Sequence, residues 1–197
     1  MLVSLVGVHG AGKTTVARLL ASTRGWRFFS LEAVKEAAGL PPLERQLVFA
    51  RRFLEAFRAA YKASRAGTPV VTDSHPLMVA VYSRWWLRSC CPEEAWRIER
   101  LIEEAPRADL IVYLRVRDPR VAAERVTRRG RPNAAEEARL DYIAFIEAET
   151  GRLLSRLGRV LAGRVAAVDA VLPPRRVAEE VLRAAVLAAL AASAELV

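Results

Sequence analysis

Four short apolar runs stand out along the chain: Leu2–Val6, Thr68–Thr72, Leu110–Leu114 and Val165–Val168. A weaker one, Arg27–Phe29, falls between the first two. The runs are continuous rather than alternating, the pattern of strands buried on both faces. Stretches of helical periodicity separate them, over residues 13–23, 43–66, 77–89, 93–105, 134–162 and 174–195. Pro92 divides the third from the fourth. Asp118 followed by Pro119 reads as a cap and first residue of another helix. Strand and helix in alternation predict an α/β protein: a three-layer sandwich whose five-stranded parallel sheet carries helices on both faces. Right-handed crossovers then gather the strand C-termini at one edge, where ligands of such sheets bind. No repeat or linker interrupts the pattern, so residues 1–197 read as a single domain. Gly130-Arg131-Pro132-Asn133 reads as a loop tip.

The chain has 31 Lys and Arg against 22 Asp and Glu, a formal charge of +9. Only Lys13, Lys35 and Lys62 are lysines; arginine carries the excess. Such a surplus points to an anionic partner, whether nucleotide, nucleic acid or acidic membrane. Salt-bridged helices rich in Glu and Arg are the competing explanation. Cys90 and Cys91 are adjacent, and with two histidines they are too few for a disulfide scaffold or a zinc site. They read as thiols of a reducing cytoplasm. The apolar start lacks a basic leader. The apolar stretch 184–194 is shorter than the ~20 residues of a membrane span and reads as a packed helix.

Gly7-Val8-His9-Gly10-Ala11-Gly12-Lys13-Thr14 fits the phosphate-loop pattern G-x-x-x-x-G-K-[ST], placed between a strand and a helix as that motif requires. Glycines let backbone amides of His9, Gly10, Ala11 and Gly12 converge on phosphate oxygens. The helix that follows offers unpaired amides and the positive end of its dipole. Lys13 is placed to reach the β- and γ-phosphates, Thr14 to bind Mg²⁺, and Thr15 to contact the α-phosphate. His9 is either a spacer or a phosphate contact.

Asp73 ends the third strand at the same edge, where a carboxylate can hold the Mg²⁺ shell or position the attacking oxygen. The alternative is a turn cap. His75 beside it is a substrate contact or a plain turn residue. Asp109 precedes its strand and so belongs to the opposite edge. Arg125, Arg128, Arg129 and Arg131 surround Gly130 and read as an Arg-rich lid around residues 125–133, with Arg128 first in line to stabilise the transferring group. A solvated basic helix end is the other reading. Arg51 and Arg52, with Phe49 and Phe53 on the same stretch, could bind an acceptor's phosphate and base, or form an ordinary amphipathic helix. Trp85, Trp86 and Trp96 read as packing residues.

Taken in order, these segments resemble the P-loop nucleoside and nucleotide kinases, and most closely the thymidylate kinase family. Gly7 to Thr15 with Ala17-Arg18-Leu19-Leu20-Ala21 resembles that family's phosphate loop and first helix. Leu47 to Arg52 resembles its acceptor-side helix, which leaves the monophosphate contact open between Arg51 and Arg52. Asp73 takes the place of the Asp in Asp-Arg-Tyr/His, and Tyr82 falls at the spacing of the downstream tyrosine. Ala108–Leu114, Glu124-Arg125 and Arg129-Gly130-Arg131 resemble the fourth strand and lid. Val168-Asp169-Ala170 with Pro174, Val177 and Glu180-Val181 resembles the segment beside the adenine of ATP, which assigns Ala170 to that site. Ser74 stands where the family has an arginine that holds the acceptor's phosphate, a departure that bears on thymidylate itself rather than on phosphoryl transfer. Asp73-Ser74-His75 is similar to the Asp-Thr-His of archaeal-type adenylate kinases.

The resemblance implies a cytoplasmic monomer or homodimer that uses ATP and Mg²⁺ to phosphorylate a nucleoside monophosphate or nucleoside. A P-loop kinase or ATPase acting on RNA, DNA or a ribonucleoprotein is the alternative drawn from the charge, and a non-catalytic nucleotide-binding module is a third. An Asn-Lys-x-Asp guanine motif is absent.

Overall fold

The protein is described here as a computed structural model over residues 1–31, 39–130 and 134–194. Strand β1 (Leu2–Val6) leads through the phosphate loop into helix α1 (Lys13–Arg24), and β2 (Arg27–Phe29) follows. Helix α2 (Pro42–Arg65) precedes β3 (Val70–Thr72), α3 (Leu77–Trp86), a 3₁₀ turn at Pro92–Glu94 and α4 (Ala95–Glu103). Next come β4 (Ala108–Arg115), α5 (Pro119–Arg129), the short α6 (Ala134–Glu137), α7 (Leu140–Leu161), β5 (Ala162–Asp169) and α8 (Pro174–Ala194).

All strand pairs are parallel, in the order β2-β3-β1-β4-β5. The most apolar run is therefore central: Val3 pairs with Val71 on one side and Leu110 on the other. Every residue of β1 is buried, as a strand covered on both faces requires. Helices α1 and α8 pack together, and α2, α3, α4 and α7 pack with one another, enclosing the sheet between two helical layers. The predicted three-layer α/β sandwich is the observed fold.

Several boundaries differ from the sequence reading. β3 starts at Val70, while β4 and β5 extend at both ends because they pair along their whole length, from Ala108 with Ala162 to Arg115 with Asp169. The helix predicted over 134–162 is interrupted at Ala138 and Arg139; Arg139 is extended, its guanidinium bound to Asp141 and Glu136. Asp118 caps α5 as predicted, its carboxylate accepting the Arg120 amide at 2.9 Å. Asp109 lies within β4 at the edge away from the phosphate loop, where it accepts the Leu2 amide at 2.5 Å and pairs with Arg65 at 2.9 Å. Trp96 is half exposed rather than packed, and α8 leaves Val186, Leu187 and Leu190 at the surface. Buried Glu99 on α4 binds Arg84 of α3 and Arg156 of α7, joining three helices by one carboxylate. Ion pairs of this kind account for part of the arginine excess.

Candidate active site

The phosphate loop is shaped by two close approaches. Gly7, at φ +138°, would place a Cβ 2.5 Å from the carbonyl oxygen of Leu114. Gly10, at φ +81°, would place one 2.5 Å from the carbonyl oxygen of Ala122 on α5. Only glycine permits both the backbone angle and the contact. Gly12 caps α1 without a side-chain hydrogen bond, leaving the helix amides open toward the loop. Lys13 Nζ donates to the carbonyls of Gly7 at 2.7 Å and Val8 at 2.8 Å, so the ammonium rests against the loop's own backbone.

Thr14, one residue further along α1, donates its hydroxyl to Asp73 Oδ2 at 2.8 Å. Asp73 is nearly buried and is held from a second direction. The Leu31 amide donates to its Oδ1 at 2.9 Å, and Ser30 Oγ to its Oδ2 at 3.3 Å. This hydroxyl and carboxylate form an oxygen-only donor pair beside the open helix end. Such a set fits Mg²⁺, a hard cation that is usually bound by one or two protein oxygens together with nucleotide phosphates. Among the described residues no cluster of three or more His, Cys, Asp or Glu offers a protein-only metal cage.

On the other side of the loop a cavity of about 390 Å³ is lined by Gly12, Thr15, Arg125, Arg128, Arg129 and Ala170, among others. Arg125 forms its rim: Nη1 donates to the Ala170 carbonyl at 2.8 Å and the Gly10 carbonyl at 3.4 Å, tying α5 to the loop and to the β5–α8 turn. Arg128 is paired with Glu124 one turn back on α5. Arg131 lies outside the described residues.

His9 leaves the loop toward α3 and α7. Its ring stacks on Tyr82 with centroids 4.8 Å apart and on Tyr142 at 5.9 Å. Trp85 meets Tyr142 edge-on, Trp86 lies nearby, and the Arg45 guanidinium sits over Trp86. Burial pushes the Tyr142 phenol well above its ordinary pKa. On α2, Phe49 is half-buried against the core and Arg51 and Arg52 are exposed, with Arg52 paired to Glu55. His75 is not brought to this surface. It is fully buried, its Nδ1 accepts the Leu77 amide at 3.0 Å, and Phe57 meets it edge-on. Burial lowers its pKa to about 3, so the ring is neutral.

The structure thus gathers Lys13, Thr14 and Asp73 at one edge of the sheet, Thr15, the three described lid arginines and Ala170 on one flank, and His9 with Tyr82 on the other. Sequence reasoning missed Ser30 and Leu31, which grip Asp73, and Glu137 and Tyr142, which meet His9. None belongs to a local motif; the fold alone brings them in.

The central strand, phosphate loop and open helix end define a P-loop nucleotide-binding protein. Residues 2–153 match the AAA domain family, and the chain belongs to it. A protein of Archaeoglobus fulgidus described as a probable thymidylate kinase is 29% identical over 163 residues, covering 73% of this chain and 76% of its own. A shikimate kinase of Moorella thermoacetica is 46% identical over 63 residues, 32% of this chain and 35% of its own. Deoxyadenosine kinase from M. mycoides, solved with bound dATP, shares the fold at a TM-score of 0.69 and 17% identity, over 93% of this chain and 98% of that one. Within the P-loop fold the protein stands in the nucleotide kinase superfamily, near the thymidylate kinases, and is a P-loop kinase, a phosphotransferase. No helix among the described residues is long and apolar enough to cross a membrane.

Proposed function

We propose that this P-loop kinase acts as one domain, in the cytoplasm, and transfers the γ-phosphoryl group of ATP, with Mg²⁺, to a nucleoside monophosphate or nucleoside. The observation that carries the reading is the meeting of Thr14 and Asp73 at 2.8 Å beside the open end of α1, with Lys13 one residue away. Phosphoryl transfer asks a protein for positioning and charge stabilisation more than for covalent chemistry. Thr14 and Asp73 would hold Mg²⁺ from this side, and the ion, when bound, would neutralise phosphate charge.

Lys13 turns from the carbonyls of Gly7 and Val8 toward the terminal phosphates, and Arg128 serves the same group by leaving Glu124. Arg125 and Ala170 frame the donor's base side, and Arg129 and Arg131 complete the basic rim. On the acceptor flank, Tyr82 supplies a flat wall for a base, and Phe49 with Arg51 or Arg52 borders the phosphate. The aromatic character of that flank, with the part-buried Tyr82 and Trp86, favours a planar heterocycle over a non-aromatic ring acid such as shikimate.

Incubation with ATP, Mg²⁺ and a panel of nucleosides, nucleoside monophosphates and shikimate, with products read by mass spectrometry, tests the reading. A phosphorylated nucleoside or nucleotide is expected. Phosphorylation of shikimate alone, or of nothing, overturns it.

A further inference from the structure

Helix α6 has four residues, far too few to persist by its own hydrogen bonds. It packs against α5 and α7, and among the described residues the side chains of Glu136 and Glu137 tie it to other parts of the site. Glu136 accepts the indole N–H of Trp85 on α3 at 3.1 Å. The Glu137 carboxylate, only 14% exposed, lies 3.7 Å from His9 Nδ1 in the phosphate loop. The same Nδ1 is 3.4 Å from the hydroxyl of Tyr142, at the start of α7. His9 thus has two duties in different directions. Its backbone belongs to the phosphate cradle. Its ring, stacked on Tyr82 and Tyr142 at interplanar angles of 18° and 19°, faces the segment that follows the arginine-bearing helix end.

We propose that His9 is a positioning residue that latches α6 to the phosphate loop, so that α6 and the Arg128–Arg129 end of α5 packed beside it follow the shape of that loop. A ring held between two tyrosines can move little without moving its own backbone, and that backbone is the loop. A loop shaped around phosphate therefore presents the imidazole to Glu137 and Tyr142. A loop out of shape withdraws it and weakens the hold on α6. This goes beyond the loop's general role in binding phosphate, because it assigns the variable position of the motif to the coordination of the two flanks.

The experiment has two readouts. Amide hydrogen exchange over residues 134–142 is measured on the whole protein without nucleotide, for wild type, Glu137→Gln and His9→Phe. The first variant keeps shape and loses charge; the second keeps an aromatic ring and loses the polar contact. Exchange about two- to tenfold faster over that segment in both variants is expected, the effect of losing one partly buried polar contact. Unchanged exchange in both overturns the proposal. If one variant fails to fold, the other decides.

The second readout is steady-state transfer and rests on the phosphoryl-transfer reading. A fall in kcat of about two- to tenfold with the KM for ATP held within twofold is expected. A raised KM for ATP with kcat unchanged also overturns the proposal, because His9 would then serve only to bind nucleotide. Absence of any transfer by wild type defeats the functional reading but leaves the exchange result to judge the latch.

Discussion

Substituting alanine at Gly10 and at Gly12 separates two demands that a phosphate loop makes on glycine. Both residues have nearly the same left-handed backbone, φ +81° and +87°. An L-residue there costs about 1–2 kcal/mol in either case. Their surroundings differ. A Cβ on Gly12 meets nothing within 4 Å, whereas one on Gly10 meets the Ala122 carbonyl oxygen at 2.5 Å and the Ala122 carbonyl carbon and Cα at 3.1 Å. Those are backbone atoms of α5, which cannot swing aside as a side chain can. Relief requires the helix or the loop to shift, a further cost of about 1–3 kcal/mol by analogy with overpacked cores. Gly10→Ala should therefore lose about 2–5 kcal/mol, against about 1–2 kcal/mol for Gly12→Ala. At about 2–4 °C per kcal/mol for a chain of this size, Tm falls by about 4–20 °C in the first variant and about 2–8 °C in the second. Thermal unfolding followed by circular dichroism without nucleotide isolates the folding term from any effect on binding. Gly10→Ala should also loosen the Arg125 bridge to the Gly10 and Ala170 carbonyls. Equal Tm losses in the two variants would refute the argument that α5 is seated directly on the loop backbone.

Lys13→Ala should reduce phosphoryl transfer by about 10²-fold or more, the usual cost of deleting a charge-stabilising donor. Its Tm should fall by only a few degrees, because the part-buried hydrogen bonds lost to the Gly7 and Val8 carbonyls are worth about 0.5–1.5 kcal/mol each; parallel activity and melting measurements check both. His75 gives a pH prediction. Burial holds its folded pKa at about 3, below the value of about 6.5 in the unfolded chain. The unfolded state therefore takes up the proton first as pH falls. The neutral ring's contribution is complete above about pH 6.5 and declines by about 1.4 kcal/mol per pH unit on the way down toward 3. His75→Asn keeps an acceptor for the Leu77 amide and does not titrate, so the stability lost between pH 6.5 and 5 should shrink by about 2 kcal/mol. Urea unfolding at the two pH values measures it, and an identical loss in wild type and variant contradicts the assignment.

What could be read from the chain alone followed the range of the forces involved. Leu2–Val6 and Arg27–Phe29 form strands within the predicted limits because apolar runs and flanking breakers are local signals. The ends of β5 were hidden: Ala162, Gly163 and Arg164 carry no strand pattern of their own and are recruited by pairing with β4. The break at Ala138 and Arg139 was hidden as well, since neither Gly nor Pro marks it and the Arg139–Asp141 contact that accompanies it is not a sequence motif. The phosphate loop was legible because its chemistry dictates residue types over eight consecutive positions. Asp73 was legible from strand polarity, its place at the C-terminal edge following from the crossover rule. The partners that tune these groups were not. Leu31 lies 42 residues from Asp73, and Tyr142 lies 133 residues from His9. His75 shows the reverse error: a polar residue next to a site residue looked accessible, yet the turn it occupies folds inward under α2.

The order of strands in the sheet also governs the birth of the protein. The first strand of this sheet to be synthesised is the middle one, and its neighbours begin around residues 70 and 110. At roughly 5–20 residues per second, about six to twenty-odd seconds pass before the second neighbour is complete. Through that interval at least one edge of an apolar pentapeptide has no permanent mate. Synonymous or missense changes that slow translation between residues 72 and 115 should thus lower the soluble yield, even where the finished enzyme is as robust as its parent.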